Sequence, residues 1–531
     1  MRIALAVFLS CTSASFAQSV QYLDQGWKQS DRSWFYRIDQ GSEFMRYDFF
    51  SRVERADSDA LFSAPESLRA YGFVYDEPVK PGDYPIGFVK RGNSIGFTCA
   101  ACHTLEITYA EKRIRIDGGS SLANMEGFLN DLSSALDTTL ASPEKFSRLA
   151  ERTLGRENTK PDAVAVLKKY LAQAADERRE YNRTNHPDSP YGPARLDAFG
   201  RIYNRVLWMA HSKDRVRANA PVSFPYLWDA PRHDYVQWIG SASNQGAGGL
   251  ARNVGQVVGV FGTVDLSSLR PGYTSSIQMT NLMQIESRLA QLQSPQWPAS
   301  FPSLDKAKIA RGREIFASTC MSCHADIRRD DPKRKITAEM TSIELLGTDP
   351  LTAQNAVNAE ADTGILKGRF VHVVGGVTRF GERSSVLDML RHVVEGLLAQ
   401  QPDKIVKSSI TNVGWFTTER HGQYERDAKN PVRSLLTYKA RPLNGVWATA
   451  PFLHNGSVPT LYDLLLPADK RPATFKVGSN QYDPEKAGFV SDQGSFLFDT
   501  SLRGNSNKGH EYGTSISEAD RLALLEYLKS L

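Results

Sequence analysis

Apolar residues recur at helical spacing in several stretches of the chain. Between Met125 and Leu136, Met125, Phe128, Leu129, Leu132 and Leu136 share one face and predict an amphipathic helix. Residues Lys160 to Arg183 are charged and helix-like, which predicts a helix with a solvated face. Further on, Ile309 and Phe316 lie seven apart in the run Asp305 to Phe316, with Ser303 as a candidate N-cap. Ser517-Glu518-Ala519-Asp520 opens a final helix in which Leu522, Leu525 and Leu528 return to one side. Two segments interrupt this pattern. Ser294-Pro295-Gln296-Trp297-Pro298 with Pro302 reads as a linker, because closely spaced prolines break regular structure. Asn244 to Gly262 is Gly-rich without GxGxxG spacing or strand context and reads as a loop, not a nucleotide site.

The first residues have the form of a leader: Met1-Arg2, an apolar run from Ile3 to Leu9, and Ser15-Phe16-Ala17 before Gln18. Cleavage after Ala17 predicts an exported protein, periplasmic or secreted. The apolar run stops at Ser10, short of the ~20 residues an anchor needs, so no membrane anchor is expected. The remaining length suits two or three domains. A formal net charge of +5 over 531 residues, without a basic stripe, argues against a nucleic-acid partner.

Of five cysteines, Cys11 falls in the leader. The other four form two copies of one pattern, Cys99-Ala100-Ala101-Cys102-His103 and Cys320-Met321-Ser322-Cys323-His324. This is the pattern for covalent haem c: two thiols bond the haem vinyl groups, and the next His becomes the proximal iron ligand. The competing readings are a thioredoxin-type pair, a shared four-cysteine zinc site and two short disulfides. None of them requires a His after the second Cys of both pairs. Two covalently bound haems c are therefore expected, with His103 and His324 on the irons. The fold expected is mainly α, with two cytochrome c-like haem domains: a leader at 1–17, an enlarged N-terminal haem domain at 18–302, and a compact C-terminal cytochrome c domain at 303–531.

Both CxxCH motifs, the lead-in Ala310 to Phe316, and the run Arg441 to Gly456 with Thr460-Leu461 resemble bacterial dihaem cytochrome c peroxidases. Pro85 to Lys90 and Gly504 to Gly513 make the chain most similar to the branch that holds the latex-cleaving rubber oxygenases. The resemblance implies one haem for electron storage and one with an open iron position. It also implies His510 as the distal ligand of the C-terminal haem, where ordinary dihaem peroxidases often use Met; His in that place lowers the haem potential. His454 lies in the peroxidase-like motif and is a candidate to orient a propionate or a loop. No Glu/Gln pair of the peroxidase kind is placed by motif.

The N-terminal haem is the expected reaction site. Met125, His186, Met209, His211, His233, Met279 and Met283 are each able in principle to close its sixth position. Trp238, Arg252 and Phe261, with His454, are the candidate catalytic residues, because an open haem needs polar groups for an oxygen species or an apolar wall for a greasy substrate. His372, His392 and His421 carry no signal. Three functions follow: peroxide reduction fed by a small donor cytochrome or copper protein, dioxygen-dependent cleavage of an apolar polyisoprene-like substrate, or electron carriage alone. A carrier needs only ~100 residues per haem, so the length favours an enzyme.

Overall fold

The computed structural model describes residues 19–80, 82–268, 273–373, 376–411, 420–426 and 432–531. The expected leader at 1–17, with Cys11, lies outside them. Helices make up 39% of the described residues and strands 16%, and the strands are short, paired into sheets of two or three. Helix thus outweighs strand more than twofold, short of the mainly helical chain expected, and the sheets are small.

The predicted helices form where their apolar faces find partners. Met125–Ala141 starts where the Asn124 side chain accepts the Gly127 N–H at 2.9 Å. It packs on Pro161–Thr184, which buries Leu167, Leu171 and Ala175. That second helix is not solvated throughout, since Arg178 is buried on its inner side. The helix before the second CxxCH spans Lys306–Thr319, and Asp305 caps it in place of the expected Ser303, accepting from Ala307 N and Lys308 N at 2.9 and 3.2 Å. The final helix, Glu518–Ser530, begins at Ser517 as expected. Leu525 and Leu528 are buried with Leu524 and Tyr527, but Leu522 faces solvent. The two helices cross so closely that a Cβ on Gly312 would lie 2.1 Å from the Ala523 carbonyl oxygen.

The Gly-rich segment departs from the loop reading. Gly248–Gly259 is an α-helix that buries Leu250, Val254, Val257 and Val258 at helical spacing. Packing outweighs the poor helix propensity of glycine here: Gly259 lies against Ile202 and Gly249 against Glu286, each within 3.1 Å of where a Cβ would stand.

One core runs from Leu23 to Leu528 and includes residues on both sides of residue 302. The proline-rich segment is irregular, as expected, yet packed into this core. Its Pro295 carbonyl accepts the Trp447 indole N–H at 3.1 Å, and Trp297 sits edge-on to Phe301 and Trp447. A second cluster, built from Phe44, Phe50, Phe88, Phe97 and Phe128, lies beneath the first CxxCH.

Candidate functional site

Both CxxCH segments close into the same turn. Thr98 accepts the Ala100 N–H and starts a 3-10 turn over Cys99–Ala101. Cys102 N and His103 N then donate to the Cys99 carbonyl at 3.2 and 2.9 Å. In the second motif the helix runs out at Cys320, and Cys323 N and His324 N donate to the Cys320 carbonyl at 3.1 and 2.9 Å. Each turn gathers two thiols and one imidazole. The first is pressed against the Pro85 to Lys90 segment: Gly87, at φ +88°, has Ala101 N 2.1 Å from where a Cβ would stand, an approach only glycine allows.

All four thiols are free. Burial pushes Cys102 up to about 12 and Cys320 up to about 11, and raises Cys99. A thioredoxin-type pair needs a lowered thiol, so these move the wrong way. Among the described residues no three His, Cys, Asp or Glu side chains converge as a metal-binding group, and the two pairs do not share a zinc site.

His510 stands opposite His324, with ring centres 6.1 Å apart and planes inclined at 63°. Two imidazoles bonded to one metal through ~2 Å metal–nitrogen bonds have centres about 6 Å apart, so the gap suits one iron. The His324 Nδ1–H donates to the Arg441 carbonyl at 2.6 Å, which leaves Nε2 for a metal. Burial lowers the pKa of both rings, His510 to about 3, and favours the neutral, ligating form.

The loop that presents His510 is held from several directions. His510 N donates to the Leu346 carbonyl at 2.9 Å, and Arg471 donates to the carbonyls of Asn507, Gly509 and His510 at 2.5, 2.9 and 3.3 Å. Asn455 donates to the Gly504 and Ser506 carbonyls, and Ser457 donates to Ser506. Gly509 at φ +74° presses on the backbone of Gly347 and Thr348. His510 itself has φ +49°, a conformation that costs a non-glycine residue energy and persists only where its surroundings enforce it.

His103 has different company. Burial lowers its ring to about 4, opposed by the nearby Pro225 carbonyl, although Nδ1 makes no well-formed hydrogen bond. Phe224 lies edge-on at 6.4 Å. Next to Pro225, Tyr226 carries the Arg441 guanidinium over its ring at 3.4 Å, and Arg441 Nη2 donates to the Tyr226 carbonyl. Trp228 stacks on Tyr226 at 4.4 Å, and both are pinned to the Arg441 to Asn444 segment: Tyr226 Oη to the Pro442 carbonyl, Trp228 Nε1 to the Asn444 carbonyl. Arg441 therefore holds His324 through its carbonyl, while its side chain packs on Tyr226, which follows Pro225 beside His103. Its Nε is buried and unpartnered, and Lys439 beside it is buried and donates to the Tyr235 carbonyl; among the described residues neither forms an ion pair with a carboxylate. Buried cations without carboxylate partners call for an anion, and the two propionates of a haem fit that need.

The proposed catalytic residues do not form one group. Trp238 and His454 are neighbours, ring centres 6.4 Å apart; Trp238 Nε1 donates to the Ser223 carbonyl, and Ser223 N to the His454 carbonyl. His454 stacks on Tyr438 at 4.0 Å, with Nε2 buried and unpartnered. Arg252 is paired with Glu286 and donates to Asn244. Phe261 belongs instead to the aromatic cluster, beside Phe44, Phe97 and Tyr181. Of the residues considered for a sixth position, His186 and His211 are exposed. His233 is buried, with Nδ1 at the Asp229 carbonyl and Nε2 unpartnered. Met125, Met209 and Met279 are core residues, and Met283 lines a surface cavity. His372 and His392 are satisfied by Glu395 and Tyr273. Sequence reasoning placed Arg441 in a motif without a role and missed Arg471, because the work of both lies in backbone contacts that spacing does not reveal.

A family model described as RoxA-like, cytochrome c-like, matches residues 437–476. That stretch holds Tyr438, Lys439, Arg441, Trp447 and His454, and it implies covalently bound haem c. The uncharacterized protein y4iJ of Sinorhizobium fredii is 30% identical over 586 aligned positions, covering 96% of this chain and 93% of that protein. The uncharacterized protein y4iM of the same organism is 38% identical over 278 positions, about half of each chain. With so nearly complete an alignment, the chain belongs to the family of y4iJ, and it carries a RoxA-like, cytochrome c-like domain.

Proposed function

We propose that the chain is an exported dihaem c-type oxidoreductase, with one haem on Cys99, Cys102 and His103 and the other on Cys320, Cys323 and His324, in units near 18–302 and 303–531. The observation that carries this reading is the unequal company of the two motif histidines. His510 stands across from His324, whereas among the described residues no second imidazole stands across from His103. Haem c supplies one-electron iron chemistry and, where a position is open, a site for peroxide or dioxygen. With a haem on the second motif, His324 and His510 would hold its iron from both sides, which suits electron storage. His103 leaves one position to be closed or kept open by groups other than an opposed His. Tyr226, which follows Pro225 beside His103, is in contact with Arg441, which holds His324, so the two sites are linked through the chain and these packed side chains. Arg441, Lys439 and the unpartnered His454 Nε2 supply polar groups to hold and orient charged cofactor edges.

The first reading is hydrogen peroxide reduction, with electrons from a small donor cytochrome or copper protein entering at the C-terminal site. A second reading, dioxygen-dependent cleavage of a double bond in an apolar polyisoprene-like substrate, is favoured by the RoxA-like match. Parallel assays separate them: peroxide with a reduced donor, and polyisoprene with dioxygen. Turnover in the first supports peroxide reduction, and chain cleavage in the second supports the dioxygenase. Failure of both, in protein carrying both haems, leaves the electron carrier.

A further inference from the structure

The helices Pro161–Thr184 and Ala198–Met209, with the Glu43 to Arg46 segment and the turn at Phe261, enclose a cavity of about 650 Å³. It is walled by Phe44, Tyr170, Tyr181, Trp208 and Phe261, and four arginines line it: Arg46 is paired with Asp48 and Arg215 donates to the Ser212 and Asp214 carbonyls, which leaves Arg178 and Arg205. Arg178 is 6% exposed; its Nη2 donates to the Phe44 carbonyl, but Nε and Nη1 have no partner. Arg205 donates from Nη2 to the Gly262 carbonyl, and its Nε is likewise unpartnered. Behind them Arg201 is buried, with Nε also free of partners.

No carboxylate of the described residues forms an ion pair with any of the three. The acids around the cavity are engaged elsewhere: Glu43 with Arg91, Asp176 with Arg179, Glu180 with Arg183. Glu177 is exposed and accepts from Gln173. The Arg178 guanidinium lies 5.4 Å from the Tyr181 ring centre and 5.0 Å from that of Phe261, contacts that offset part of its burial. Burial, with Arg205 and Arg201 nearby, still pushes it down to about 10. Clustered, desolvated like charges are costly without a counter-ion; the Glu177 charge offsets part of this for Arg178 and Arg205 without a direct bond to either, and a guanidinium is the group that best matches a carboxylate.

We propose that this cavity is a binding site for a flat organic carboxylate, its anionic group held by Arg178 and Arg205 and its apolar body lying between Tyr181, Phe261 and Trp208. The site is separate from the histidine pair, but it adjoins the first CxxCH through the Phe261–Phe97 contact at 6.2 Å. An aromatic carboxylate fits better than inorganic phosphate, because the walls are largely aromatic and phosphate would leave them wet.

The test is calorimetric titration of the full-length, haem-loaded protein with 2-naphthoate, benzoate and inorganic phosphate, paired with thermal melts. We expect one 2-naphthoate per chain, weaker benzoate, phosphate weaker again, and a higher Tm with 2-naphthoate. Arg178→Met keeps the stem and removes the charge, and should weaken 2-naphthoate at least tenfold. Arg205→Gln serves the same purpose if Arg178→Met does not fold. Trp208→Ala, at a half-exposed position, should weaken 2-naphthoate while leaving phosphate unchanged. Absence of both heat and Tm shift with 2-naphthoate, tighter binding of phosphate than of 2-naphthoate, or unchanged affinity in the arginine variants would overturn the proposal.

Discussion

The imidazoles of His324 and His510 face each other with centres 6.1 Å apart, although 186 positions separate them in the sequence. Their pairing depends on a loop that places His510 at φ +49° under the Arg471 side chain. If both nitrogens bind one iron, His510→Ala should turn one of two haems from low to high spin and shift one reduction potential. The low-spin signal of the His324 haem should be lost. An unchanged spectrum with unchanged potentials would remove His510 from the coordination shell.

Arg471 is a positioning residue for that ligand. Arg471→Met removes donors from the half-buried Asn507, Gly509 and His510 carbonyls, and each hydrogen bond lost in this way costs about 0.5–1.5 kcal/mol. The Tm should fall, and part of the C-terminal haem should become high spin. A lower Tm with a fully low-spin spectrum would make Arg471 a stabilising residue only.

Gly312 sets the crossing of the helices on either side of the second CxxCH. Gly312→Ala would thrust a methyl group into the Ala523 carbonyl, and overpacking of this kind costs about 1–3 kcal/mol. Gly381→Ala, where the nearest atom lies 3.8 Å from the added Cβ, is the control and should leave denaturant unfolding nearly unchanged. Equal stability of the two variants would contradict the tight crossing.

Local chemistry made part of this molecule legible in advance. The CxxCH turns and the Ser517 cap depend on residues within four positions of one another, so spacing reveals them. His510 emerged through resemblance to a family and not through its own surroundings, because Arg471, Asn455, Ser457 and Leu346 hold its loop from distant parts of the chain. The helix Gly248–Gly259 was hidden by its glycines, which pack closely against Ile202 and Glu286. Arg178 was hidden by its charge: on a helix rich in Lys, Arg and Glu it reads as solvated, yet it faces the aromatic cluster.

Acid stability should depend on Glu54. Its carboxylate is 2% exposed and held by Arg148 at 2.7 Å, Arg152 at 2.7 Å and Lys145 at 3.4 Å. Hydrogen bonding from Arg148, opposed by burial, lowers it from 4.5 to about 2. A carboxylate depressed in the folded state stabilises the fold above its unfolded pKa, and that stabilisation is lost as pH falls through the folded value. The Tm should therefore decline between pH 4.5 and about 2, more steeply in wild type than in Glu54→Gln. Parallel pH profiles would show that the ion-pair cluster contributes nothing.

The most direct test of two unequal haem sites is a cyanide titration of the purified, haem-loaded protein, followed in the Soret band. One equivalent should bind per two covalently attached haems, with the His510-ligated haem unaffected. The Cys99→Ala/Cys102→Ala variant should keep one haem and lose the binding. Cyanide at both haems, or at neither in the oxidised, half-reduced and fully reduced states, would contradict the assignment of the His103 site as the one open to small molecules.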